Sequence, residues 1–215
     1  MSGIVGDNVA RASGVIASAG SAGIWTKVAT QDITTNTSTI DFTTLSTDYK
    51  DFRIIGSGIR SSSNNNHLYI RVSVASSWIT SGSKYQTGTT GADIANYGSG
   101  AVWGEDNGQY FRLDAGYNAG SAAIGNSTGY GVRFQFTIAD VHDTTMWKYA
   151  NWESCFTMST PAAQSTDTQG NNGFGSFGVG SSAAPAAGDA IDGLRVYMSG
   201  DVAEGNFILY GRSVT

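Results

Sequence analysis

Three stretches of this chain alternate apolar and polar side chains with a period of two. Leu68, Ile70, Val72 and Val74 alternate with Tyr69, Arg71 and Ser73. Val132, Phe134, Phe136 and Ile138 alternate with Arg133, Gln135 and Thr137, and Leu194, Val196 and Met198 with Arg195 and Tyr197. Successive side chains of a strand point to opposite faces, so each stretch reads as a strand with one face in a core. Weaker strand signals lie at Trp25–Ala29, Thr39–Phe42, Phe52–Ile55, Tyr110–Leu113, Trp147–Trp152, Cys155–Met158 and Phe207–Tyr210. No long window carries a helical period. Roughly ten short strands separated by turn-rich loops predict an all-β antiparallel sandwich or barrel.

Composition agrees. Gly 29 of 215 is about twice the usual share, and only 13% of residues are charged while 11% are aromatic. Glycine-rich turns between aromatic-bearing strands give such a profile, and a disordered chain does not. The segment Asn206–Arg212 is apolar on both faces, with Phe207 and Leu209 on one and Ile208 and Tyr210 on the other. It therefore reads as a central strand or one pressed against another subunit. The stretch from Gly91 to Tyr130 is the least regular and reads as loops carrying Tyr97, Trp103, Tyr110, Tyr117 and Tyr130. Thr166–Pro185, nearly all small residues broken by Phe174 and Phe177, reads as a second loop.

Several function classes are disfavoured. The net charge is −5 and no basic block is present, whereas phosphate-backbone binding needs clustered Lys and Arg. No run approaches the roughly 18–20 apolar residues of a membrane helix, so membrane insertion is not expected. Cys155 is alone, which leaves stability to packing or oligomerisation and suits a reducing compartment.

Residues 1–24 differ from the rest. Gly3, Gly6, Gly14, Gly20 and Gly23 disfavour a helix, each costing about 1 kcal/mol relative to alanine. Asp7 precedes the single basic residue Arg11, and the longest apolar run, Val15-Ile16-Ala17, is too short for a secretion signal. A solvated tail would be richer in charge and proline than this segment, whose Ile4, Val5, Val9, Val15 and Ile16 would profit from burial. The segment reads as an extended anchoring arm that orders against a partner, followed by one globular domain over 25–215. Fully extended it reaches about 75–80 Å.

Candidate chemistry is sparse. Asp140, His142 and Asp143 in DVHD have the groups for a divalent metal or proton transfer, but they equally suit a strand-to-turn exit, which is the preferred reading. Glu105 and Asp106 in WGEDNG pair two acids beside Trp103. Adjacent acids rarely face each other across a glycosidic bond, and Asp106-Asn107-Gly108 reads as a turn. Surface binding of a sugar, with Trp103 as a stacking platform, is the better use of that segment. GFGSFG, Gly173 to Gly178, matches a dinucleotide-binding glycine pattern but sits in a glycine-serine loop with no helix to follow, and is set aside. Cys155, between Ser154 and Phe156, reads as a buried structural thiol. Asn36-Thr37-Ser38 and Asn126-Ser127-Thr128 fit the glycosylation pattern and read as loop residues. No catalytic constellation survives, so no enzyme activity, metal or cofactor is expected.

The segment AIDGLRVYMSGDVAEGNFILYGR, residues 190 to 212, resembles the end of small jelly-roll domains in tailed-bacteriophage structural proteins. A strand of the type I-x-G-[LI]-R is followed there by a short glycine-bearing turn and a closing strand ending Leu-Tyr-Gly. Ile191, Gly193, Leu194 and Arg195 match the first part, and Gly205, Ile208, Leu209, Tyr210 and Gly211 the second. YKDFRIIGSGIR, Tyr49 to Arg60, resembles the first core strand of these domains. The resemblance covers about half the chain in pieces and brings no functional residues. It implies a jelly-roll-like sandwich, assembly as a homotrimer and a place in a virion made in the host cytoplasm. The protein would be a tail fibre or receptor-binding protein, joined to other virion proteins through its arm and recognising a host-surface glycan or protein. Tyr97, Trp103, Glu105, Asp106 and Tyr117 are the candidate ligand-binding residues. Two alternatives stand beside it: a capsid decoration, cement or head-fibre protein, and a free carbohydrate-binding module.

Overall fold

The computed structural model describes residues 23–80, 84–93, 100–114, 124–127, 129–157, 168–178 and 190–213. Among them no helix occurs; twelve strands form one antiparallel sheet that curls on itself into a sandwich-like, jelly-roll-like fold.

The curl is organised by β12 (Ile191–Arg212). On one edge its two halves pair with β1 (Trp25–Ile33) and β2 (Thr37–Thr43); on the other they pair with β3 (Asp51–Ser61) and β4 (Leu68–Val74). Three long chain paths therefore run side by side and break at one level, at residues 34–36, at residues 62–67, and in β12 where its pairing shifts between Tyr197 and Asn206. Irregularities of this kind increase twist and turn a sheet through a corner.

Beyond β3 the wide layer continues through β9 (Val132–Ile138), β10 (Lys148–Thr157), β11 (Thr168–Phe177), β6 (Tyr85–Asp93) and β7 (Gly100–Gly108). The narrow layer of β2, the first half of β12 and β4 adds β5 (Ser77–Trp78) and β8 (Phe111–Arg112). The corner lays the narrow layer over the inner face of the wide one. Phe111 of β8 packs against Tyr85, Phe136 and Trp152, with ring centroids 5.1, 5.4 and 5.9 Å away. The Val72 N–H donates to the Tyr85 hydroxyl at 3.0 Å, and that hydroxyl donates to the Ile79 carbonyl at 3.2 Å. The expected alternation is present: Val132, Phe134, Phe136 and Ile138 are buried, as are Leu194, Val196 and Met198. Each such large side chain contributes roughly 1.5–3 kcal/mol by leaving water.

The segments read as loops need correction. Within Gly91–Tyr130, residues 91–93, 100–108 and 111–112 are strand (the end of β6, then β7 and β8), and β11 takes residues 168–177 of Thr166–Pro185. Asp106-Asn107-Gly108 is the end of β7 and not a turn. In β11 the inward positions are Asn171, Gly173, Gly175 and Phe177. A Cβ on Gly173 would collide with the Trp152 indole, and one on Gly175 would come within 2.9 Å of the Phe111 ring. The glycines are docking sites for rings supplied by other strands, which is why the segment shows no alternation of its own. GFGSFG belongs to this strand. The glycine-bearing turn expected before the closing strand is also absent: residues 191–212 are one continuous strand, with Gly205 (φ +154°) at its bend. Residues 206–212 are central in the sheet, between β1 and β3.

Candidate functional site: the outer face of the wide layer

Period two places every second residue of the wide layer on its outer face, and antiparallel register lines these residues into cross-strand rows. One row runs Ile55, Gln135, Glu153, Asn172 and Thr90. The row on one side of it contains Arg133, Cys155 and Gly170. The row on the other side runs Arg53, Thr137, Asn151, Phe174 and Gly88.

Two depressions mark this face. A groove of about 490 Å³ is lined by Ile55, Arg133, Gln135, Glu153, Cys155 and Asn172, together with backbone. Beside it a hollow of about 360 Å³ is walled by Tyr149 and Phe174, with Gln86, Gly88 and Ser176. Phe174 is 66% exposed and Tyr149 58% exposed. The Phe174 ring leans over Gly88, where a Cβ would meet it at 2.9 Å.

The charged groups of the groove are free to act. Arg53 donates to Thr137, Arg71 to the Tyr197 hydroxyl, and Arg60, Arg112, Arg195 and Arg212 each pair with a carboxylate. Among the described residues Arg133 is the arginine with no internal partner, and the neighbouring Glu153 carboxylate has none either. A guanidinium, a carboxylate and the amides of Gln135 and Asn172 offer both donors and acceptors, with the two charges opposite in sign. Such a set of groups has the chemistry to hydrogen-bond hydroxyl and amide groups, and the adjacent rings of Tyr149 and Phe174 add exposed apolar surface.

Cys155 is exposed in this groove and not buried. Ser154 and Phe156 hold the inward phase of β10, and Ser154 donates to the Leu113 carbonyl at 2.5 Å, so position 155 must face outward. Of the sequence-derived ligand candidates, Tyr97 and Tyr117 lie outside the described residues. Trp103, Glu105 and Asp106 are on β7, with backbone positions opposite Thr89, Thr87 and Gln86. Ile4, Val5, Val9, Val15 and Ile16 of the arm also lie outside the described residues. Glu153, Asn172, Phe174 and Tyr149 escaped the sequence reading; the available signal was the polar phase of the alternating strands.

The DVHD segment is a turn. Asp140 (φ +53°) donates its N–H to Asp51 at 3.0 Å and pairs with Lys50 at 3.0 Å. His142 Nε2 lies 3.1 Å from the Ser46 carbonyl. The Asp143 carboxylate accepts from the Thr145 hydroxyl at 2.7 Å and from two backbone N–H groups; these bonds hold its pKa below the usual carboxylate value. Among the described residues no group of three His, Cys, Asp or Glu side chains is placed to hold a metal. His67, distant in sequence, instead meets Asp114: Nδ1 lies 2.7 Å from the buried carboxylate, which also accepts from Arg112 Nε at 3.1 Å. This cluster satisfies a buried charge beneath Tyr69 and Tyr110.

The sheet is polar end to end. Trp25, Arg212, Asp51, Phe52 and Ile138 meet at one end, where β1 begins; Arg53 and Arg212 lie over the Trp25 ring at 4.1 and 5.1 Å, and Asp51 accepts from Arg212 at 2.5 Å. Cys155, Gly170, Asp93 and Gly100 lie toward the other end. Comparison with family models, with curated proteins and with solved structures returns no match to this chain.

Proposed function

We propose that the chain is a non-enzymatic attachment protein of a virion, held by its N-terminal arm and presenting the outer face of the wide layer to a host-surface glycan or protein. The observation that carries this reading is the groove, whose unpaired Arg133 and Glu153 lie beside exposed Phe174 and Tyr149. The arm precedes β1 at the Trp25 end of the sheet, whereas Arg133 and Cys155 of the groove lie toward the other end, so one end can hold while the groove binds. The resemblance of residues 190–212 and 49–60 to phage jelly-roll domains supplies the virion context and the homotrimer. Three shallow sites engaged together bind far more tightly than one. A decoration role is favoured instead by Ile24 and Val28, which stand exposed where the arm begins and could join neighbouring shell proteins.

Antibody against residues 25–215 applied to intact virions tests the reading. Label at the tail or its fibres supports attachment, label over the head means decoration, and no label sinks both in favour of a free binding module. The second test is the Arg133→Ala, Glu153→Gln double variant. Both side chains are exposed, so its melting midpoint stays with the parent. Its binding to host cells falls by about tenfold or more, as expected on losing charge-assisted hydrogen bonds. Unchanged binding would remove the groove from the proposal.

A further inference from the structure

The narrow layer carries a pocket of its own. A depression of about 170 Å³ lies where β2, β4, β5 and β12 converge, lined by Thr43, Thr44, Ser73, Ser76, Trp78 and Asp192. The backbone around it is built against local preference. Asp192 is the extra residue of a bulge, since β12 pairs Ile191 with Val74 and Gly193 with Ser73. Bulges of this kind re-aim a side chain. Thr44 (φ +58°) and Ser76 (φ +61°) both have left-handed backbone, as does Ala75 beside Ser76. For a β-branched residue such as Thr44 that conformation is an outlier, and backbone strain of this sort concentrates at binding sites.

The strained frame holds the polar wall in place. The Ser73 hydroxyl donates to one Asp192 carboxylate oxygen, and the Ser76 N–H donates to the other at 2.5 Å. The Leu45 N–H donates to the Asp192 carbonyl at 3.0 Å. A carboxylate has about four acceptor sites, so each oxygen keeps a lone pair for a further donor. Ser73, having donated to Asp192, is left to accept. Trp78 is fixed as well: the Arg195 guanidinium lies 4.2 Å from its ring centroid, and Asp41 accepts from Arg195 at 2.7 and 2.6 Å. Gly193 lets the ring close down, because a Cβ there would stand 3.2 Å from Trp78.

We infer that this pocket binds a single neutral sugar ring, two neighbouring hydroxyls donating to the two oxygens of Asp192 and the apolar side of the sugar lying against Trp78. Charge selects this class. The Asp192 carboxylate repels an anion. A cation meets the guanidinium already stacked on Trp78, with Arg71 directly opposite Arg195 in register. The donors that the wall lacks therefore come from uncharged hydroxyl groups. The volume, below the roughly 300–1,000 Å³ of sites for drug-sized ligands, suits one ring and not a chain. The pocket shares no residue with the groove of the wide layer, and the inference does not rest on the attachment reading.

Saturation-transfer NMR on the full chain tests it, with the methyl glycosides of glucose, galactose, mannose and N-acetylglucosamine as probes and choline as the cationic control. At least one glycoside should receive saturation on its ring protons. Asp192→Asn and Trp78→Ala should each weaken its binding by about tenfold or more, as expected on losing hydrogen bonds to a charged group or an aromatic contact. The Arg133→Ala, Glu153→Gln double variant should bind it as the parent does. Trp78→Ala leaves Asp192 and its partners in place, so it remains a test should Asp192→Asn fail to fold. No transfer to any glycoside, transfer unaffected by both pocket variants, or transfer to choline in place of the glycosides overturns the inference. Transfer abolished by the groove variant alone also overturns it and moves sugar binding to the wide layer. The assay uses no virion or host cell, so failure of the attachment reading leaves its result intact.

Discussion

At Gly173 the side chain that matters belongs to another residue. The Trp152 indole lies where a Cβ would be, and Trp152 is 1% exposed with no room to retreat. Gly173→Ala should therefore destabilise the fold by about 1–3 kcal/mol, the cost of overpacking a filled core. Urea unfolding would show a lower midpoint with an unchanged slope; an unchanged midpoint would mean that the indole can move aside. The same scale explains two errors of the sequence reading. Cys155 looked buried because it lies between core-like neighbours, yet in a strand such a neighbour occupies the opposite face. The glycines of β11 looked like loop because volume donated from β10 and β8 leaves no trace in β11's own composition.

Among the elements, the β4–β5 hairpin shows local chemistry at odds with the fold. Val74 pairs with Ser77 across a two-residue turn, and Ala75 and Ser76 both have positive φ, +48° and +61°. That is the geometry of a type I′ turn, which favours Asn or Gly because a Cβ is strained there. The Ser76 N–H donates to Asp192 Oδ2 at 2.5 Å, and Ser73 donates to the other carboxylate oxygen. Ser76→Gly keeps that N–H and removes the Cβ, so it should stabilise the protein by about 0.5–1 kcal/mol. A melting midpoint that falls would show that the serine side chain has a role of its own. No Asn-Gly or Gly pair announces this turn, and β5 was accordingly missed. β9 and β4 were legible from their alternation. The two halves of β12 were legible too, but not their continuity, because the bend at Gly205 reads in sequence as a turn.

The whole molecule buries phenols whose pKa values depend on the closed sandwich. Burial pushes Tyr197 up to about 12, against a pull downward from Arg71, and raises Tyr69 and Tyr85 as well. A raised folded pKa gives stability that is complete below the unfolded value of 10.0 and is lost as pH rises through the folded value. Denaturant stability should therefore hold to about pH 10 and decline from there toward pH 12. The Tyr69→Phe, Tyr197→Phe variant, which cannot ionise at these positions, should decline less steeply over that range. Identical slopes would mean that these phenols are accessible in the native state.

By itself the sequence determined the all-β class, the buried faces of β4, β9 and β12, and the distinct character of residues 1–24, because period, charge and glycine content are local quantities written along the chain. It also determined which side chains of β9 oppose the core, and hence that Arg133 and Gln135 face outward. Only the tertiary structure decided which of those outward residues share a groove, that Phe174 and Tyr149 stand beside it, and that His67 meets Asp114. Those facts depend on strand order and register, set by long-range pairing and by the common corner of β12 and its neighbours, and no window of sequence contains both sides of such a pair.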